Sequence, residues 1–273
     1  MTDVYGVCHT PSGVTAPTAE QFRELARDRR VIPVVRRFLV DDQTPVGLFA
    51  KLAGDRPGTF LLESAENGQT WSRYSFIGVR SAAMLTDVGG QAQWVGHLPV
   101  GLPTSGLAVD ALRDTLASLR TPRAPGLPPL TGGLVGLIGY DAVRRWERLP
   151  DANPDDLQLP EVAMLLVTDL AVMDHVDGSV WLVANAVNYD NSPGRVDDAY
   201  DHAVSRLDRM EADLYAAAPA SVHAIPAAAR RPPQVNADFR ASVETAKEYI
   251  RAGDAFQIVL SQRFSQPCGA SPL

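Results

Sequence analysis

The sequence predicts an α+β protein, mostly antiparallel sheet with flanking helices. Three observations predict it. Apolar runs with strand character are joined by the tight-turn pairs Asn67-Gly68, Gly89-Gly90 and Asp177-Gly178, which favour antiparallel neighbours. Helical periodicities fall among these runs without the strict strand–helix alternation of a doubly wound parallel fold. The 273 residues are 45% hydrophobic and 21% charged, which is enough to bury a real core and too apolar for a disordered chain.

The elements follow in order. Residues 1–17 are polar, with Pro11, Gly13 and Pro17, and read as a flexible N-terminus. Thr18 caps a helix that Phe22, Leu25 and Ala26 carry on one face as far as Arg30. Val31 to Val40 is a β-branched run broken by Pro33, which cannot donate to a central ladder, so it suits a sheet edge or an extended segment. Pro45 to Ala53 reads as a second helix, stopped by Gly54 and Pro57.

Thr59 to Ala65 and Thr70 to Val79 form the clearest hairpin, with Asn67-Gly68 as a two-residue turn. Counting outward, Ser64 faces Trp71 and Leu62 faces Arg73. That register puts Ser64 and Arg73 diagonally on one face and sends Glu63 to the other.

Ala82 to Thr86 and Gln91 to Val95 are two further strands, and Leu107 to Leu119 is a helix with Leu112, Leu116 and Leu119 as its stripe. A Pro-rich loop, a glycine-spaced strand from Gly132 to Tyr140 and a short helix from Asp141 to Arg148 come next. Val162 to Val167, Ala171 to His175 and Ser179 to Asn188 read as strands, and Pro193 to Tyr215 as a long helix.

Residues 216–234, rich in Ala and Pro, read as a linker. Beyond it, Asn236 caps a helix through Ala252 with Phe239, Val243, Ala246 and Ile250 buried, and Gly253 ends it. Phe256 to Phe264 then alternates as a strand, with Gln257 on its polar face.

Composition excludes several functions. The 25 Lys and Arg against 32 Asp and Glu give a net charge of −7 with no basic block, which argues against nucleic-acid and anionic-membrane binding. No window has the apolar length of a membrane span, and Met1 to Thr10 lacks the layout of a signal peptide. Cys8 and Cys268 sit at opposite ends and make neither a disulfide framework nor a zinc site. The expectation is a reduced, cytoplasmic protein.

Motif-level chemistry is sparse. Gly133-x-x-Gly136-x-x-Gly139 lacks both dinucleotide and P-loop spacing and reads as close packing in a strand. The histidines His9, His97, His175, His202 and His223 are scattered, without metal-ligand spacing. Asp197-Asp198 suits a helix N-terminus, and Arg144-Arg145 and Arg230-Arg231 suit solvated surface. Glu63-Ser64 differs, because a polar pair set directly after Phe60-Leu61-Leu62 needs partners if it is buried.

Three stretches together carry a family resemblance: Phe60 to Ala65 followed by Trp71 to Gly78, Gly132 to Asp141, and Tyr249 to Phe264. In order and spacing they resemble the large, chorismate-using subunit of anthranilate synthase (component I), over about residues 18–264. The resemblance implies conversion of chorismate and ammonia to anthranilate and pyruvate in tryptophan biosynthesis. It implies ammonia drawn from glutamine by a separate glutamine amidotransferase subunit (component II), Mg2+ on the chorismate carboxylate, and feedback inhibition by L-tryptophan.

By resemblance, Glu63 and Ser64 of the Leu-Leu-Glu-Ser motif face the bound tryptophan, with Arg73 as the basic counterpart. Gln257 stands where water-using relatives carry a Lys general base, and a neutral amide suits an enzyme whose nucleophile is ammonia. The resemblance divides the chain into a family N-terminal domain at 18–215, the linker at 216–234 and the start of the chorismate-binding domain at 235–273.

The family's chain is much longer, and its magnesium ligands and most of its active site are not in this one. The fragment alone is therefore expected to be inactive, with no metal ligands in this chain. Two other readings stand beside this one: aminodeoxychorismate synthase component I of the folate pathway, and a non-catalytic fragment that binds tryptophan or the glutaminase subunit.

Overall fold

The computed structural model describes residues 4–5, 12–40, 42–63, 73–97, 100–151, 154–188, 191–217, 234–235 and 238–265. The expected Asn67-Gly68 turn, Ser64, Arg230-Arg231 and most of the expected linker lie outside the described residues. The chain divides into two units, residues 1–220 and 221–273.

The first unit is a seven-stranded antiparallel sheet with helices. Its strands are β1 (Val31–Leu39), β2 (Phe60–Leu62), β3 (Tyr74–Val88), β4 (Gln91–Gly96), β5 (Gly133–Ile138), β6 (Val162–Asp174) and β7 (Ser179–Val187). Its helices are α1 (Ala19–Leu25), α2 (Pro45–Leu52), α3 (Ala108–Ser118) and α4 (Val196–Tyr215). The mixed α+β class expected from the sequence is the class found.

The long strands β3 and β6 pair along the middle. On the outer side of β6 lie β7 and β5, one after the other along its length. On the outer side of β3 lie β2 and β4 in the same manner. Strand β1 flanks β7 at the edge, where Pro33 was expected.

Both long strands were read as two shorter ones, because polar residues interrupt their apolar runs. In β3 the interruption is absorbed by register shifts between Gly78 and Ala83. In β6 it is Thr168-Asp169, and Asp169 stays buried inside the strand because Arg206 of α4 and Arg80 of β3 pair with it. Burial outweighs those two arginines and leaves the Asp169 carboxyl above its ordinary value.

One sheet face carries the larger core. Ile77, Ala171, Val180, Leu182 and Ala184 pack against Phe22 of α1, Leu48 and Leu52 of α2, and Leu207 and Met210 of α4. Full burial of each large side chain is worth roughly 1.5–3 kcal/mol. Arg36 straps α4 to β1 through Asp208 at 2.7 Å and Glu211 at 2.6 Å. The opposite face packs Val35, Leu170, Val172, Trp181 and Val183 under Ala124 and Leu127 of the Pro-rich segment. A small third cluster joins Leu85 to Ala111 and Leu112 of α3.

Local chemistry sets the helix ends. Thr18 and Gln21 form a reciprocal capping box at α1, and Thr44 caps α2 by accepting from the Gly47 amide. Helix α1 ends at Leu25, not Arg30, because no apolar residue after Ala26 remains to be buried. In α3 the buried face is Ala108, Ala111, Leu112 and Thr115, so Leu116 of the expected stripe is half-exposed. The expected helix at Asp141 is a 3-10 turn, Tyr140–Arg145. Pro193–Arg195 is also a 3-10 turn, leading into α4, whose first turn holds Asp197 and Asp198.

The second unit contains α5 (Phe239–Ala252) and a two-residue ladder of β8 (Gln234–Val235) with β9 (Phe264–Ser265). Asp238, not Asn236, caps α5, its carboxylate accepting from the amides of Arg240 and Ala241. Gly253 ends the helix with φ of 84°, the left-handed conformation expected there. Of the expected buried face only Ala246 is buried, while Phe239 and Ile250 are exposed. The expected strand at Phe256 to Phe264 does not form before Phe264. A strand needs a ladder, and among the described residues of this unit only Gln234–Val235 supplies one.

Candidate functional site

Of the expected site residues, Glu63 follows the end of β2 and Arg73 precedes β3, while Gln257 lies in the second unit. The ladder pairs Phe60 with Gly78, Leu61 with Ile77 and Leu62 with Phe76. Leu62 therefore does not face Arg73, and the register derived from a two-residue Asn67-Gly68 turn is corrected by three positions. An odd shift exchanges the two faces. Continued by one residue, the observed register puts Glu63, not Leu62, on the side of Ser75. The expected separation of Glu63 from the Arg73 side is therefore corrected. Glu63 is exposed and makes no ion pair with any described residue.

Arg73 precedes β3, and its guanidinium turns onto Asp174, the last residue of β6. Nε donates to both Asp174 carboxylate oxygens, at 2.9 and 3.0 Å, and Nη2 donates to Oδ2 at 2.6 Å. The Asp174 side chain is 3% exposed and that of Arg73 46%. This hydrogen-bonded carboxylate pushes the guanidinium pKa above its already high value. The Arg73 guanidinium also stacks over the Tyr74 ring at 4.9 Å.

The neighbouring groups brace this arrangement. Asp174 Oδ1 accepts from the Val176 amide at 3.1 Å, and the His175 amide donates to the Arg73 carbonyl at 2.8 Å. Ser75 Oγ, fully buried, is hydrogen-bonded to His175 Nε2 at 2.8 Å. In the following turn, burial of Asp177 is outweighed by hydrogen bonds from Ser179 and by Arg37, which hold its carboxyl below the ordinary value. The result is one basic group whose plane is held by Asp174 and stacked on the Tyr74 ring.

Sequence reasoning singled out Arg73 and Glu63 and gave no sign of the Asp174 and Tyr74 contacts of Arg73 or of the Ser75–His175 bond. Asp174 lies 101 positions from Arg73, and no local spacing signals such a pair. The glycine strand behaves as packing. A Cβ on Gly136 would lie 1.9 Å from the Ala163 carbonyl oxygen of β6. Gln257, expected on a strand, is exposed in a segment without a ladder.

A cleft of about 290 Å³ between the Pro-rich segment and the sheet is lined by Pro33, Arg123, Leu127, Thr168 and Asn185, away from the expected set. No group of three or more His, Cys, Asp or Glu that could hold a metal ion occurs among the described residues. These residues therefore do not fit the magnesium that the resemblance implies, and no step is routed through it. Among the described residues no helix is long and apolar enough to cross a membrane.

Comparison with known proteins places the chain in a class first. The family described as chorismate binding enzyme matches residues 58–273, and the chain belongs to it. The particular relatives are more specific. The chain is 51% identical over 267 residues to "Anthranilate synthase component 1" of Arthrobacter globiformis, covering 96% of this chain and 50% of the relative. It is 48% identical over 256 residues to the protein of the same name in Mycolicibacterium smegmatis, covering 93% and 49%.

The chain thus spans about half the length of the curated relatives it matches. Anthranilate synthase component I from Streptococcus pneumoniae, known from its crystal structure, superimposes with a TM-score of 0.51 at 20% identity. The match covers 85% of this chain and 49% of that one and bears on the fold.

Proposed function

We propose that this chain forms part of the synthase subunit of anthranilate synthase, a cytoplasmic lyase of tryptophan biosynthesis. The subunit converts chorismate and ammonia to anthranilate and pyruvate. The ammonia comes from glutamine through a glutamine amidotransferase partner, component II. The observation that carries this reading is 51% identity along nearly the whole chain to a relative of that name.

Feedback inhibition by L-tryptophan is assigned to Glu63, Ser64 and Arg73. The held guanidinium of Arg73 and the exposed carboxylate of Glu63 match the two charges of an amino acid in kind. Gln257 belongs to the ammonia-using chemistry in this reading, since a neutral amide cannot act as the base that activates water. The chain has no turnover of its own, because catalysis requires preorganised groups around the reacting atoms and the chain spans half of its relatives' length.

The test is a chimera in which this chain replaces the matched half of the Arthrobacter globiformis relative. With chorismate, magnesium and ammonium it should form fluorescent anthranilate, inhibited by L-tryptophan. Ser64→Ala should raise the half-inhibiting tryptophan concentration about tenfold or more, the loss expected for a hydrogen bond to a charged group. Formation of aminodeoxychorismate would overturn the activity. Unchanged inhibition in Ser64→Ala would overturn the site.

A further inference from the structure

A buried amide oxygen that receives no hydrogen bond requires an explanation. Asn185 of β7 carries one. The residue is 3% exposed, and its Nδ2 donates to the Thr131 carbonyl at 2.7 Å and to the Thr168 carbonyl at 3.3 Å. Carbonyl oxygens only accept, so the NH2 group must face them and Oδ1 must point the other way. Among the described residues nothing donates to Oδ1. Asn185 lines the cleft of about 290 Å³ under the Pro-rich segment, and its Oδ1 opens on that cleft.

The frame around this oxygen is built beforehand. Arg206 of α4 donates to the Asn185 carbonyl at 2.6 Å. A Cβ on Gly132 would lie 2.4 Å from Asn185 Nδ2, so only glycine lets the Thr131 carbonyl close on the amide. The roof, residues 122–129, holds four prolines, whose backbone is restricted before any ligand arrives. Its ends are pinned by the Thr121 hydroxyl, which donates to the Val31 carbonyl at 2.8 Å, and by the buried side chains of Ala124 and Leu127. A preformed cleft loses little order on binding.

The walls decide what fits. Leu127, Leu166 and Val187 offer apolar surface, no Asp or Glu lines the cleft, and its charged lining residue is Arg123. Arg123 is exposed and pairs with no carboxylate among the described residues. In a chain of net charge −7, an acid-free wall with an unpaired guanidinium favours an anion. Asn185 belongs to the sheet floor and Arg123 to the roof, so the groups they take belong at opposite ends of one molecule. A rigid ring fills the apolar space between them without the rotamer cost of a flexible chain.

We propose that this cleft binds a small aryl carboxylate with a hydrogen-bond donor across the ring from its carboxylate. The donor, an O–H or N–H, goes to Asn185 Oδ1, the ring lies against Leu127, Leu166 and Val187, and the carboxylate meets Arg123. The site does not depend on the tryptophan reading of Glu63, Ser64 and Arg73, and neither falls with the other.

The test titrates the full 273-residue chain with three probes at neutral pH, followed by NMR. The first is 4-hydroxybenzoate, which has ring, donor and carboxylate. The second is 4-methylbenzoate, of similar size without the donor, and the third is 4-methylphenol, which has the donor and no carboxylate when its methyl replaces that group. In the wild type, 4-hydroxybenzoate should saturate, shift the Asn185 side-chain NH2 signals and show ring contacts to the methyl groups of Leu127, Leu166 and Val187. It should bind about fivefold more tightly than 4-methylbenzoate, the worth of one neutral hydrogen bond. Arg123→Gln should weaken 4-hydroxybenzoate about three- to fivefold, as expected for an exposed ion pair, and leave 4-methylphenol unchanged. Arg123→Lys should recover part of the loss.

Three results from the wild type overturn the site and need no variant to fold: no saturable binding of 4-hydroxybenzoate, ring contacts that map elsewhere, or equal affinity for 4-methylbenzoate. Unchanged 4-hydroxybenzoate affinity in Arg123→Gln overturns the assignment of the carboxylate. An equal loss for 4-methylphenol does the same, since it would mark a merely structural effect of the substitution.

Discussion

Gly136 and Gly139 look alike in the sequence, three residues apart in one glycine-spaced run, yet they do different things. A Cβ on Gly136 would meet the Ala163 carbonyl oxygen at 1.9 Å, a backbone atom of the paired strand that cannot swing aside. A Cβ on Gly139 would meet its nearest neighbour at 3.5 Å, an ordinary contact. Overpacking of this kind costs roughly 1–3 kcal/mol, so Gly136→Ala should be destabilised by about 2–3 kcal/mol and Gly139→Ala should stay within about 0.5 kcal/mol of the parent. Urea midpoints of the two variants check this. Equal midpoints would mean that the run is not spaced for packing. The same distinction shows what a sequence holds at this scale. The glycine spacing was legible as close approach, but which glycine is obligatory depends on the β5–β6 register, which no local pattern carries. Arg73 stood out in the sequence as a basic residue, whereas its partner Asp174 did not, because only the β3–β6 pairing brings them together.

Among the elements, the strands and helices of the first unit were legible because their own turns, caps and periodicities agree with the fold. The failures at the long strands share one cause: residues whose partners lie far along the chain. Thr168-Asp169 broke the pattern of β6 on paper and does not break the strand, since Arg206 and Arg80 satisfy the buried carboxylate. The reverse happened at Phe256 to Phe264, where alternation was good and no ladder is present before Phe264. Phe256 is fully exposed there and Val259 is 83% exposed. Amides that donate to no ladder exchange from the native state without unfolding. Those of 256–261 should therefore exchange at close to unprotected rates, while the amides shared by β6 and β7 exchange only through global opening. Hydrogen exchange read by mass spectrometry distinguishes the two segments. Strong protection at 256–261 in a monomeric sample would show a pairing partner that the described ladders lack.

For the whole molecule, the consequence concerns where stability resides. Among the described residues, all members of the three core clusters lie between Tyr5 and Leu214. In the second unit Ala246 is the buried hydrophobic among the described residues. The slope of a urea transition follows the surface exposed on unfolding, and the midpoint follows the stability of the cooperative unit. A chain shortened to residues 1–217 should therefore unfold in a single transition at the midpoint of the full chain, with only a small loss of slope, read by far-UV circular dichroism and by tryptophan emission. It should also be more soluble, because Phe256 and Val259, exposed apolar side chains on an unpaired segment, are removed with the second unit. A fall in stability of more than about 1 kcal/mol would exceed the usual effect of changes away from a core. Such a fall, or a transition that loses its cooperativity, would mean that residues 221–273 contribute to the core of the first unit, and the division of the chain into two independently stable parts would be abandoned.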